Sequence, residues 1–262
     1  MMDAVKNYYT GYSEENRLKR DNFHRIEFLT SMRYLEKAIP PSSRILDACA
    51  GTGIYSFALA QQGHSVTACD LMPEHIAQIR KRDSSEDLLR DAKVCNILDM
   101  SGIEDVSFDA VLCMGALYHL FTAEDRKRAV DECLRVLKPD GLFAAAYVSR
   151  HAQLVSALSH KGMEKYDAAL DCIESGIFDA ENGGLVFYRS TPAEIISLME
   201  SADLEKQYMV GTDGIAHIIA ELINSMNPPD FDRWLQYHYS TCEDETLLGY
   251  SLHGLYIGKK PM

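Results

Sequence analysis

Two glycines one residue apart, Gly51 and Gly53, follow the apolar run Ile45-Leu46-Asp47-Ala48-Cys49 and precede a stretch of helical character. Glycine in such a turn lets backbone approach a ligand closely, and the helix start beyond it offers unpaired N–H groups. Two carboxylates flank the turn. Asp47 stands just before the glycines, and Asp70 closes the next apolar run. A carboxylate in the second position can accept the ribose hydroxyls of an adenosine. One in the first can meet an ammonium group, directly or through water, or cap the loop. Farther along, Tyr118 and His119 follow another apolar run. Histidine, with an unperturbed pKa of about 6.5, suits proton abstraction, although such a residue also serves to hydrogen-bond a loop.

Asp70 fits NAD and S-adenosylmethionine equally. The glycines separate them in part. A dinucleotide fingerprint continues as G-x-G-x-x-G, and here its third glycine falls on Ser56. NAD loses ground, while Asp47 suits the ammonium of a zwitterionic methionine tail.

These residues need elements to position them. Apolar residues from Phe23 to Ile39 recur at helical spacing, which predicts a helix over 22–39 stopped by Pro40-Pro41. Strands are predicted at 44–49, 64–70, 92–97, 108–115 and 142–147, with helices at 54–62, 73–82 and 122–137 between them. Lys138-Pro139-Asp140-Gly141 reads as a turn. Strands alternating with helices at this spacing imply a parallel sheet with right-handed crossovers, an α/β doubly wound fold. After Tyr147 the rhythm breaks. A mixed segment over 149–190 is followed by a helix from Thr191 to Ser201, a sixth strand at 204–210, helical sequence from Ile215 past Trp234, and a last strand at 251–259.

Four blocks carry a family resemblance: Ile45-Leu46-Asp47-Ala48-Cys49-Ala50-Gly51-Thr52-Gly53; Asp70; Phe108 through Leu120; and Leu137-Lys138-Pro139-Asp140-Gly141. In this order and spacing the chain resembles the class I S-adenosylmethionine-dependent methyltransferases. The resemblance implies a Rossmann-like seven-stranded sheet with the last strand antiparallel, and methyl transfer that leaves S-adenosylhomocysteine. Matched residue by residue, it assigns the methionine end to Asp47, Ala48, Gly51 and Gly53. Asp70 and Leu71 fall at the ribose, Asn96 and Ile97 at the adenine, and Met114 and Gly115 beside the sulfonium. The chain departs from the family at Cys49, where the first glycine usually stands, and at Asn96-Ile97, where Asp-Ala is more frequent. Tyr118 shapes the pocket in this reading, and His119 is the candidate base.

Residues 1–262 read as one domain: an N-terminal helical cap over 1–40, a cofactor-binding core over 41–148, and lid insertions over 149–190 and 211–249. Tyr8, Tyr9, Tyr12 and Arg17 precede the core, and Tyr12, Arg17 and Tyr147 are the candidate acceptor-binding residues. Such a lid favours a small-molecule acceptor. The alternatives are an enzyme that methylates a carboxylated wobble uridine in tRNA, which the order of elements from Thr191 to Pro261 also resembles, and a cofactor-binding protein without methyl transfer. A net charge of −13 weighs against nucleic acid, whose phosphates require a basic surface. Arg126-Lys127-Arg128 reads as a solvated helix face. No apolar run reaches the roughly 20 residues that span a bilayer. With no signal-peptide pattern at the start, the expectation is a cytoplasmic monomer or homodimer. The seven cysteines include no C-x-x-C pair, and no metal is expected. Cys49, Cys69, Cys95 and Cys113 read as small core residues at successive strand ends. Tyr237, His238, Tyr239, Cys242 and His253 read as lid packing.

Overall fold

In a computed structural model, β1 (Arg44–Asp47) has a parallel neighbour on each side. Ile45 lies opposite Val66 of β2 (Ser65–Asp70) and opposite Ala110 of β4 (Phe108–Cys113). Ile45 and Leu46 are fully buried, as expected of a strand covered on both faces. The structure describes residues 17–161, 163, 166–177 and 187–262. The sheet has seven strands in the order β3-β2-β1-β4-β5-β7-β6, with β3 at Asp91–Val94, β5 at Leu137–Val148, β6 at Glu205–Gly211 and β7 at His253–Lys259. Strands β1 to β5 pair in parallel and β7 runs antiparallel. Near one end of β5, Asp140 N–H donates to the Lys260 carbonyl and Lys260 N–H to that of Gly141, while Ser149 N–H donates to Leu252 near the other end. As the number rises on one strand it falls on the other.

The helices are α1 (Asn22–Ala38), α2 (Ile54–Gln61), α3 (Pro73–Glu86), α4 (Ala123–Val136), α5 (Arg150–Lys161), α6 (Tyr166–Ser175), α7 (Pro192–Glu200), α8 (Ala220–Ser225) and α9 (Pro228–Thr241). Helix α3 runs one turn beyond the expected stop at Arg82. Arg82 pairs with Glu86 at 2.8 Å, and Asp83 then accepts the N–H groups of Leu88 and Leu89 beyond the end. Strand β5 also differs from expectation, starting at Leu137 rather than Leu142. The turn chemistry is present, since Asp140 has φ 67, but pairing with Lys260 draws these residues into the sheet. The helical stretch after Ile215 is broken at Met226, which is extended. Asn227 then caps α9 by accepting from Asp230 N–H.

The chain divides into two compact units. One comprises Leu35–Ala146, Ser197–Gln207 and Ile257–Met262. Its core includes Phe57, Ala68, Ile76, Ile79 and Ala92, where α2 and α3 cover β2 and β3. The other comprises the described residues of Met1–Tyr34, Tyr147–Ile196 and Tyr208–Tyr256. It packs Ile26 of α1 with Ala216, Ile223, Phe231 and Leu235. Among the described residues no helix is long and apolar enough to cross a membrane.

Candidate functional site

Register places the predicted cofactor residues along one edge of the first unit. Asp47 ends β1 opposite Ala68 and Leu112, and Asp70 ends β2 opposite Val94. Between them the chain turns through Gly51 at φ 53 and Gly53 at φ 86, the latter capping α2. A Cβ on Gly53 would meet Phe57 and Ile79 at 3.1 Å, so both conformation and space call for glycine. Ala48 is buried and donates its N–H to Leu112 across the sheet at 2.9 Å.

Asp47 is 1% exposed. Its Oδ2 accepts the Ser56 hydroxyl at 2.7 Å, while Oδ1 is buried with no hydrogen-bond partner. Burial pushes the carboxyl up to about 7; the Asp70 charge adds to this, while the Ser56 hydroxyl bond and the nearby Cys49 backbone oppose it. An oxygen left bare in this way costs on the order of 1–3 kcal/mol unless a donor arrives. Ser56 was not expected in the site. The signal was its spacing, since it occupies the third-glycine position and supplies a hydroxyl where a dinucleotide site would need bare backbone.

Asp70 is also buried, at 8% exposed. Its Oδ2 accepts Gly51 N–H at 2.8 Å, and its Oδ1 accepts Met72 N–H at 2.8 Å and the His75 ring nitrogen at 3.0 Å. His75 is a second residue that motif spacing did not identify. Leu71 follows in a half-buried bend, while Asn96 and Ile97 lie just past β3. The Asn96 side-chain carbonyl accepts Leu98 N–H at 3.0 Å, which spends one of its two lone pairs and leaves one for a ligand.

Beyond β4, Met114 and Gly115 bend toward a short 3-10 turn, Leu117–His119. A Cβ on Gly115 would sit 3.4 Å from Cys49. The Tyr118 hydroxyl donates to the Met114 carbonyl at 3.4 Å, and its ring meets that of His119 edge-on, with centroids 4.8 Å apart. Arg126, expected on a solvated face, instead donates to the carbonyls of Leu120 and Phe121 at 2.7 and 3.0 Å and so fixes the chain after His119. Cys69 and Cys113 are core residues as expected, but Cys49 and Cys95 are only partly buried. Among the described residues no group of His, Cys, Asp or Glu side chains has the makings of a metal site.

Tyr8, Tyr9 and Tyr12 fall outside the described residues. Arg17 and Tyr147 belong to the second unit. Arg17 makes a two-bonded ion pair with Glu27 at 2.7 and 3.2 Å. Tyr147 is buried across the bare backbone of Gly254 with its hydroxyl unpartnered, and burial raises its pKa. His253 bonds Asp213 through Nδ1 at 2.6 Å, with Glu27 3.5 Å away. Burial disfavours the imidazolium, but the two carboxylates outweigh it and hold His253 above its ordinary value. His238 is the opposite case. It lies buried against the Thr30 hydroxyl at 3.0 Å, and burial lowers its pKa.

Residues 45–141 match the family described as "Methyltransferase domain". Over those residues the chain is similar to a methyltransferase domain, as its resemblance to the class I S-adenosylmethionine-dependent enzymes implies. The ubiquinone biosynthesis O-methyltransferase of Xylella fastidiosa (strain 9a5c) is 34% identical over 144 residues, which is 51% of this chain and 57% of that protein. An S-adenosyl-L-methionine-dependent Diels-Alderase of Talaromyces variabilis is 36% identical over 116 residues, 43% of this chain and 39% of that one. The match thus spans little more than half of the first relative's length and less of the second's. A SAM-dependent methyltransferase from Methanosarcina mazei superposes with a TM-score of 0.62 at 21% identity, covering 87% of this chain and 97% of that one. That likeness establishes the shared fold. The bare Asp47 Oδ1 and the glycine turn fit a zwitterionic amino-acid tail, whose ammonium would supply the missing donor.

Proposed function

We propose that this protein is a methyltransferase that uses S-adenosylmethionine to modify a small-molecule acceptor in the cytoplasm. The observation that carries this reading is the buried, half-satisfied Asp47 beside the glycine turn. When bound, the cofactor supplies a methyl group on a positively charged sulfur, already activated for in-line displacement.

The chain's own part is to bind, orient and exclude water. In this reading Asp47 accepts from the ammonium of the methionine end, and the turn at Gly51 and Gly53 lets backbone close on it. Asp70 holds the ribose, while Asn96 and Ile97 flank the adenine. The Tyr118 ring offers an electron-rich face to a sulfonium. His119 takes the proton when the acceptor atom must lose one. The small acceptor is supported by the Xylella relative, named for ubiquinone biosynthesis, and by the charge of −13, which repels a polyanion such as tRNA. A second reading, cofactor binding without methyl transfer, is favoured by the Talaromyces relative, whose name is that of a Diels-Alderase. A shared fold does not fix the chemistry.

Calorimetric titration of the full chain with S-adenosylmethionine and, separately, with NAD tests the cofactor. Saturable binding of the first and none of the second is expected. Binding of NAD alone overturns the proposal.

A further inference from the structure

The carboxylate at the end of β2 is bonded to more donors than its place in the fold requires. Two of them are backbone N–H groups fixed by the loops on either side, Met72 on Oδ1 and Gly51 on Oδ2, both at 2.8 Å. The third is the His75 ring, which turns from the first turn of α3 onto Oδ1 at 3.0 Å, with both residues less than a tenth exposed. A carboxylate accepts at about four lone-pair positions, two on each oxygen. Both positions on Oδ1 are filled, and one of the two on Oδ2. A ribose brings two adjacent hydroxyls, and one acceptor position remains.

We propose that His75 is a positioning residue that restricts Asp70 to a single ribose hydroxyl, so that the chain distinguishes the 2′ from the 3′ position of its adenosine cofactor. This rests on the cofactor reading above and adds to it which oxygen of Asp70 does the binding and what occupies the other. Of the three donors, only His75 is a side chain, so only its contribution can be removed without moving a loop. Leucine in its place returns a lone pair on Oδ1 to the ligand, and the second hydroxyl gains a partner. Glutamine keeps a donor there.

The test uses the full chain, S-adenosylhomocysteine and its 2′-deoxy and 3′-deoxy analogues, with Kd measured by calorimetry. In the wild type one analogue is expected to bind about tenfold or more weakly, the size of a lost bond to a charged acceptor, and the other within about threefold of the parent. In His75→Leu both analogues weaken about tenfold relative to the parent, and His75→Gln restores the one-sided pattern. A purely structural role for His75 would change all three affinities together. Equal effects of the two deletions in the wild type, whether large or negligible, overturn the inference. That measurement stands even if a variant fails to fold. Failure of S-adenosylhomocysteine to bind at all refutes the cofactor reading itself, and this inference with it.

Discussion

Asp47→Asn is expected to make the protein more stable and a poorer binder of its cofactor, and the two effects share one cause. The carboxyl of Asp47 has an ordinary value of 3.8, and in the fold it is pushed up to about 7, chiefly by burial. Between these values the folded chain keeps a proton that the unfolded chain gives up, so stability falls as pH rises from about 4 to about 7. At roughly 1.4 kcal/mol per unit, the ionised carboxylate costs up to about 4 kcal/mol at pH 8. Asparagine avoids that charge. It preserves an acceptor for the Ser56 hydroxyl but brings a buried N–H group to the place of Oδ1, which returns about 1–2 kcal/mol of the gain. The net expectation at pH 8 is about 2–3 kcal/mol, a rise in Tm of roughly 5–10 °C for a chain of this size. At pH 4, where wild-type Asp47 is protonated in the fold, the advantage disappears. Calorimetric titration of the same variant with S-adenosylmethionine should show at least about a tenfold loss, because the charge-assisted bond to the ammonium is gone. Wild-type affinity should fall by about tenfold per unit below pH 7, since the ligand then has to displace a proton. Scanning calorimetry from pH 4 to 8 decides the matter. A variant less stable than wild type at pH 8, or a gap that does not change with pH, refutes the reasoning.

The second unit gives two further expectations. His253 is held above its ordinary value by Glu27 and Asp213, so its contribution is fully present below about pH 6.5 and is lost as pH rises through its folded value. The Tm difference between wild type and His253→Gln should therefore be widest near pH 6 and narrow at higher pH, and a gap that widens contradicts the charge assignment. At Gly254 an added Cβ would overlap the Tyr147 ring, so Gly254→Ala should cost about 1–3 kcal/mol or more in denaturant unfolding, on the order of an overpacked core site. Combining it with Tyr147→Leu should recover part of that loss. No recovery would show that some other contact carries the strain.

Much of the geometry of the candidate site was legible from the residues because its signals are local. A glycine turn after an apolar run places Asp47, Gly51 and Gly53, and a second run ending in Asp70 places a second carboxylate on the neighbouring strand. Partner choice was less legible. The spacing of Ser56 reads as a missing glycine, whereas the fold turns its hydroxyl onto Asp47. His75 reads as one polar position in a helix, and only the packing of α3 against the end of β2 brings its ring to Asp70. Arg17 and Arg126 show the same limit, since charge pattern marks them as polar while the fold sets one against Glu27 and the other against two carbonyls. The early start of β5 had no local sign, because the residue that pairs with Asp140 and Gly141 is Lys260, far along the chain.

The central claim is methyl transfer to a small molecule, and transfer of a labelled methyl group tests it most directly. Purified full chain incubated with methyl-labelled S-adenosylmethionine should label a component of a small-metabolite extract and leave bulk tRNA unlabelled. Label in tRNA, or in neither fraction while the cofactor still binds, would contradict the account.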